Sequence, residues 1–268
     1  VAIARWEDEI VRFRGKIAIV TASGGGIGLA TARAFAAEGA NVVICDIMPE
    51  LVDSAVTEIR RMGANAIGTL CDVTDPAQTD ALADECRKAF GAPDILVNNA
   101  GTAGGDIGNR FLEGMDRQVW QSMLNINLIG TFNATMSVIH DMIGKKGGRI
   151  VNTASLAGRQ PDRQVGPYYA AAKAGVIGFT RHMALVMAPH GINVNAIAPG
   201  IIVSGERREK MWRELPEEKR QEILSGIPLG RLGKLEDITN LTTFLSSDQS
   251  SYITGATIDI NGGMFMAV

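Results

Sequence analysis

Short apolar runs rich in β-branched residues recur along the chain at 17–21, 41–45, 66–70, 95–98, 149–153, 193–198 and 257–260. Longer stretches separate them, and those at 27–37, 51–62 and 79–90 carry apolar residues at helical spacing with a polar face left over. Strands alternating with amphipathic helices predict βαβ units and a mainly parallel sheet. The strand segments are apolar throughout rather than alternating, as expected where helices cover both sheet faces. Seven such units without a Pro/Gly/Ser-rich linker predict an α/β fold, a single doubly wound domain over residues 15–268. A short extension at 1–14 precedes it, in which Ile3, Trp6, Ile10 and Phe13 either form one amphipathic turn or pack on the surface.

Two helical segments are unusually apolar. The stretch 115–143 carries only Asp116, Arg117 and Asp141 as charges, and 168–187 only Lys173 and Arg181. A helix apolar almost all round cannot keep a face in water. Deep burial within one subunit is one reading. Self-association through these two helices is the preferred one, because a helix flanking a sheet in a chain of this size normally keeps a wet face.

Composition narrows the function classes. The chain has 268 residues, 46% hydrophobic and 21% charged, which excludes a disordered polypeptide. With 26 basic against 29 acidic residues there is no surplus charge to hold a phosphate backbone, so no nucleic-acid partner is expected. No run approaches 18 apolar residues, so no membrane span is expected, and the first residues do not resemble a signal peptide. Cys45, Cys71 and Cys86 make no CxxC pair, and three scattered histidines add no metal-ligand spacing. A cytoplasmic protein without a metal is the expectation.

The first strand runs into Thr21-Ala22-Ser23-Gly24-Gly25-Gly26-Ile27-Gly28 and then a helix. Glycines at that junction let the backbone approach a pyrophosphate seated on the helix N-terminus; the alternative is a flexible turn. Asp46 ends the second strand 18 positions after Gly28. Its carboxylate suits the two adenosine ribose hydroxyls and repels a 2′-phosphate, which favours NAD over NADP; the alternative is a helix cap. Asp72 is likewise a cap or an adenine contact. Tyr169 and Lys173 stand four apart on a helix and so share a face. An ammonium stabilises a phenolate, although an interfacial Tyr and a solvated Lys also fit this spacing. Ser155 follows the fifth strand on the same sheet edge, in a sequence that is not a serine-hydrolase elbow.

Together these motifs resemble the single-domain, Rossmann-type branch of the short-chain dehydrogenases/reductases, from about Gly15 to the C-terminus. They are TASGGGIG (21–28), CDV (71–73), NNAG (98–101), the NIN stretch with Asn127, NTAS (152–155), YAAAK (169–173), NVNAIAPG (193–200) and YITG…DINGG (252–263). The resemblance implies an oxidoreductase that interconverts a secondary alcohol and a ketone. Tyr169 is then the general acid/base, Lys173 lowers its pKa and holds the nicotinamide ribose, Ser155 bonds the reacting oxygen, and Asn127 positions a water in a proton relay. It implies that Thr21, Ser23, Gly24, Gly26, Ile27, Gly28, Asp46, Asp72, Val73, Asn99, Ala100 and Gly101 hold the adenosine and pyrophosphate, with Asn98 packed nearby. Tyr169, Lys173, Pro199, Gly200, Ile202 and Ser204 hold the nicotinamide end, Ile202 through its backbone. A homotetramer is the implied assembly.

Two departures stand out: the family usually has Gly where this chain has Ala22, and often Thr where it has Ser204. Within the family the chain looks most like the 3-oxoacyl-carrier-protein reductases. Asp46, Gly25 in place of a basic residue, and Asn133 and Leu185 in place of two carrier-facing arginines oppose that assignment. A 3-oxoacyl-thioester reductase, on a carrier protein or CoA, is therefore the second reading. A dinucleotide-binding scaffold without catalysis is the third. Arg110, Arg159, Arg163, Arg207, Arg208 and Arg213 lie in the variable segments 102–114, 156–167 and 201–226, where they either meet an anionic substrate or pair with Asp162, Glu206 and Glu209.

Overall fold

A computed structural model of the chain describes residues 11–103, 117–161 and 165–267. Its strands are β1 (Ile17–Val20), β2 (Asn41–Asp46), β3 (Ala66–Leu70), β4 (Ile95–Asn98), β5 (Gly148–Thr153), β6 (Ile192–Pro199) and β7 (Thr257–Ile260). They form one seven-stranded sheet in the order β3-β2-β1-β4-β5-β6-β7. Every pairing is parallel. The order reverses between β1 and β4, and the crevice beyond the carboxyl ends of those strands is where open α/β sheets take ligands.

Alternate residues of each strand feed two cores. Ala18, Val20, Val42 and Ile44 face α1 (Gly26–Ala37), α2 (Pro49–Arg61) and α9 (Leu235–Ser246). Ile19, Val43, Leu96 and Ile150 face α3 (Pro76–Ala89), α5 (Gly130–Lys145) and α6 (Pro167–Met187). Burial on both faces is why the strands read as continuous apolar runs. The boundary expected at Gly15 cuts through the first core: Phe13 is 1% exposed, and its ring meets Phe35 edge-on at 5.0 Å. Its N–H also donates to the Glu38 carbonyl, so residues 11–14 belong to the packed domain. Ile3, Trp6 and Ile10 lie outside the described residues.

The apolar stretch expected as one helix over 115–143 is divided. α4 (Arg117–Leu124) widens into a π-helical turn at Asn125–Ile129 before α5 resumes. Such single π-turns inside α-helices are frequent at functional sites, and in this one Asn127 donates its side-chain amide to the Met123 carbonyl at 3.0 Å. A buried amide network fixes α5 and α6 to the strand ends. Asn98 donates to Thr135 and Asn152 at 3.0 and 2.8 Å, and Asn152 to Thr180 at 2.9 Å. The remaining helices, α7 (Glu206–Glu214) and α8 (Glu217–Ser225), follow β6 on its carboxyl side. Among the described residues no helix is long and apolar enough to cross a membrane.

Candidate active site

The glycine turn is locked to the segment after β4. Thr21 Oγ1 accepts the N–H groups of Asn99 and Ala100, both at 2.9 Å, and the Asn99 amide donates back to the Thr21 and Ala22 carbonyls at 3.0 and 3.1 Å. A side chain at Gly28 has no room, since its Cβ would stand 2.2 Å from the Ala22 carbonyl oxygen. Gly26 sits at φ +54°, the left-handed region. α1 then begins at Gly25 with no side-chain cap and no acid in its first turn. Its first N–H groups and dipole are therefore left without a capping side chain or a first-turn carboxylate. Ile27 lies in its first turn. Ala22 also has positive φ, +50°, so the replacement of glycine there carries strain of about 1 kcal/mol. Ser23 does not present its hydroxyl to a ligand: the group is buried, donating to the Val20 carbonyl at 2.7 Å and accepting the Cys45 N–H at 3.1 Å.

A cleft of about 760 Å³ opens beside this turn, lined by Ala22, Asp46, Ile47, Asp72, Val73, Ala100 and Gly101 on the sheet side. Arg117, Gln121 and Asn125 line it from the helical side. Asp46 is not the cap of α2, which begins after Met48 without a side-chain cap. Its Oδ1 accepts the N–H groups of Ile47 and Met48 at 2.8 and 3.3 Å, and its Oδ2 that of Gly24 at 3.2 Å. The carboxylate thus joins the glycine turn to the second strand while lining the cleft. Asp72 is not the cap of α3 either, since Asp75 fills that role. Asp72 instead accepts from the N–H and hydroxyl of Thr74 at 2.9 and 2.8 Å.

On the other side of β4, Lys173 and Tyr169 project from α6. Lys173 is buried, donates to the Thr153 carbonyl at 2.7 Å and stands 5.7 Å from the Tyr169 ring centre. Burial lowers its pKa to about 8. Burial also raises the Tyr169 phenol above its ordinary value, opposed by a hydrogen bond with Ser155 and by the charge of Arg208. The Lys173 ammonium is turned to the Thr153 carbonyl while standing beside the Tyr169 ring. Ser155 begins the short turn Leu156–Gly158 and accepts the Ala157 N–H at 3.2 Å. Asn127 clamps Thr102 by both backbone groups, accepting its N–H at 3.0 Å and donating to its carbonyl at 2.9 Å. Gly101 joins the two halves of the site: a Cβ there would lie 2.7 Å from Asn127 Oδ1 and 3.1 Å from Lys173 Nζ.

Pro199 and Gly200 close β6, and Gly200 donates to the Ile260 carbonyl at 3.0 Å. Beyond them Ile202 bridges Gly233 through the neighbouring Ile201 carbonyl and Val203 N–H, which leaves its own backbone groups out of that pairing. The Ser204 carbonyl lies 3.6 Å from the position of a Cβ on Gly26, so this segment meets the start of α1.

Of the loop arginines, Arg159 is taken by Asp259 at 3.0 Å and lies over the Phe265 ring, and Arg213 is taken by Glu209 at 2.5 Å. Among the described loop arginines, Arg208 is the one whose charge reaches Tyr169. Arg110, Arg163 and Asp162 lie outside the described residues, as do the side chains of Arg207 and Glu206. The Thr102 and Thr153 backbone partners are not legible in the sequence, because a main-chain carbonyl or N–H has no residue signature. Arg208 was visible only as one of six alternatives.

A family model described as enoyl-(acyl carrier protein) reductase matches residues 21–265. A 3-oxoacyl-[acyl-carrier-protein] reductase of Thermotoga maritima is 40% identical over 256 residues, 95% of this chain and 99% of that one. Galactitol 2-dehydrogenase of Agrobacterium fabrum is 39% identical over 265 residues, covering 96% and 100%. A crystal structure of a 3-oxoacyl-[acyl-carrier protein] reductase with bound NAD, from Brucella melitensis, superposes with a TM-score of 0.86 at 33% identity, over 100% and 99% of the two chains. The fold and crevice define a doubly wound, nucleotide-type α/β protein. The chain belongs to the short-chain dehydrogenase/reductase family. It is an oxidoreductase of carbinol and keto groups that works with a nicotinamide cofactor.

Proposed function

We propose that the chain is an NAD-dependent dehydrogenase interconverting a secondary alcohol and a ketone, with Tyr169 as general acid/base. The observation that carries this reading is buried Lys173 beside the Tyr169 ring and, with Asn127, against Gly101, with Ser155 near enough to Tyr169 to oppose the effect of burial on its phenol. Burial keeps the phenol protonated at neutral pH, ready to give its proton to a ketone oxygen that the Ser155 hydroxyl also holds. In the reverse direction Tyr169 takes the alcohol proton. Lys173 holds the nicotinamide ribose, and Asn127, against the same Gly101, takes part in the proton relay. The nicotinamide ring supplies or accepts the hydride when bound.

The residues fit a dinucleotide. The uncapped start of α1, the closeness of Gly28 to Ala22, and the cleft wall of Asp46, Asp72, Val73, Ala100 and Gly101 suit its pyrophosphate and adenosine. Asp46 supports NAD over NADP. Thr21, Ser23 and Asn99 act by shaping the turn; Pro199, Gly200, Ile202 and Ser204 serve the carboxamide end. The fold over residues 11–267 is one catalytic domain. Three unpaired, buried cysteines support a cytoplasmic setting. Exposed apolar side chains on α4, α5 and α6 support a homotetramer.

A 3-oxoacyl-thioester reductase is the second reading, supported by the 40% identity above. Against a carrier-protein substrate stand the two positions aligned with its arginines. Asn133 is buried and donates to the Val73 carbonyl at 2.9 Å, and Leu185 is an exposed apolar residue. The test is absorbance at the NADH band with NAD and a panel of secondary alcohols, hydroxy acids and 3-hydroxyacyl thioesters, with Tyr169→Phe alongside. Turnover lost by at least ~10³-fold in the variant, with NADH binding retained, is expected. Residual turnover near wild type removes Tyr169 from its role, and turnover only with NADPH and an oxoacyl thioester promotes the second reading.

A further inference from the structure

A second, smaller cleft of about 370 Å³ lies at the opposite, amino-terminal edge of the sheet, where β1, β4 and β5 begin. Its lining holds five cations, Arg12, Lys16, Lys145, Lys146 and Arg149, against two acids, Asp94 and Asp248. With Glu38 ion-paired to Arg12 counted as well, the five cations exceed three acids by two, a local excess of positive charge on a chain of net charge −3. Both acids are already engaged. Asp94 takes Lys145 at 2.5 Å and the Ile17 N–H at 2.9 Å, and Asp248 takes Arg149 at 3.3 Å. Arg12 is held by Glu38 at 2.5 Å. Among the described residues the Lys16 and Lys146 ammonium groups have no hydrogen-bond or ion-pair partner.

Two further observations separate this cleft from a solvated rim. Arg149 Nε is buried without an acceptor, an unmade bond that costs about 1–3 kcal/mol. Lys146 is held at φ 54°, ψ 41°, at the end of α5, a left-handed position where glycine is the default and where strain gathers at functional sites. Its turn is fixed from behind, because a Cβ on Gly191 would stand 2.6 Å from the Lys146 carbonyl oxygen. A charged side chain is thus kept in a strained, rigid turn beside a cleft whose carboxylates are already ion-paired.

We propose that this cleft binds a compact polyvalent oxyanion of about the size of pyrophosphate, held by Lys16, Lys146 and Arg149. It has half the volume of the cofactor cleft and lies at the other end of the strands, so it is a separate site from the dinucleotide crevice. The test is calorimetric and thermal-shift titration of the full chain with inorganic pyrophosphate, at constant ionic strength and with saturating NADH filling the crevice. Saturable binding, weakened at least ~10-fold by Lys16→Ala with Lys146→Ala, is the expected result. NADH affinity should not change in that double variant. Lys146→Gly should also weaken pyrophosphate binding while raising stability without the anion, because it relieves the left-handed turn and removes the charge together. Absence of saturation, equal binding by the double variant, or loss of binding when NADH is added each overturns the proposal.

Discussion

At the scale of single residues, Asp46 performs two tasks that one substitution can separate. Its carboxylate accepts three backbone N–H groups and lines the cleft beside the glycine turn. Asp46→Asn keeps an acceptor for the turn but removes the charge that repels a 2′-phosphate. The ratio of kcat/KM with NAD to that with NADP should fall at least ~10-fold, about 1.4 kcal/mol, in steady-state assays. An unchanged ratio takes cofactor choice away from Asp46. Lys173 carries a stability cost with a definite pH dependence. Its folded pKa of about 8 lies below its ordinary 10.5, so between those values the unfolded chain binds more protons. Stability therefore rises with pH across that window, and below it the burial cost is fully present. Lys173→Met should abolish turnover yet stabilise the protein at pH 7 by about 1–3 kcal/mol, with a gain that shrinks by pH 10. Urea midpoints at the two pH values measure this; a gain independent of pH would show that Lys173 is not the group responsible.

At the scale of elements, the expected strands fall within a residue or two of those found, because burial on both sheet faces writes the inner strands β1, β2, β4, β5 and β6 as apolar runs. The end of α4 did not follow from periodicity. The π-helical turn at Asn125–Ile129 holds Asn127, whose side chain bonds to Met123 and Thr102, and the latter is 25 residues earlier in the chain. The motifs name Ser155, Tyr169, Lys173 and Asn127, but only the tertiary structure shows that, of the described loop arginines Arg159, Arg208 and Arg213, it is Arg208 whose charge acts on Tyr169. α7 brings that charge to Tyr169, where it opposes the effect of burial. Removing it should raise the phenol's pKa further, since only burial is then left against the Ser155 bond. Alcohol oxidation needs the phenolate, so the rising limb of its pH–rate profile should move to higher pH in Arg208→Gln. Ketone reduction uses the protonated phenol and should keep its rate at pH 7. A limb that stays in place, or moves down, would mean that α7 does not set the charge at the site.

At the scale of the whole molecule, the sheet has a crevice at one edge, a cationic cleft at the other, and on one side a helical face that the fold leaves apolar. Trp120, Ile129, Phe132 and Met136 project from α4, the π-helical turn and α5, while Leu185 and Val186 project from α6. Phe132 meets Phe179 of α6 edge-on at 6.2 Å, which joins these helices into one continuous surface. Leu185 is 73% exposed on a helix whose other face is packed against β6. Leaving such surface in water loses about 25 cal/mol per Å², and a helical face repeated by a two-fold axis is self-complementary. The face also lies next to the site, since α6 carries Tyr169 and Lys173 and the π-helical turn carries Asn127. Assembly should therefore steady the catalytic helices as well as cover apolar surface. Sedimentation equilibrium of the wild-type protein should give four times the 28.5 kDa chain mass. Phe132→Asp with Leu185→Arg should shift the mass toward the single chain and lower kcat, with circular dichroism unchanged. A monomeric wild-type protein would leave this helical face without the role assigned to it. An active monomer formed by the double variant would separate assembly from catalysis.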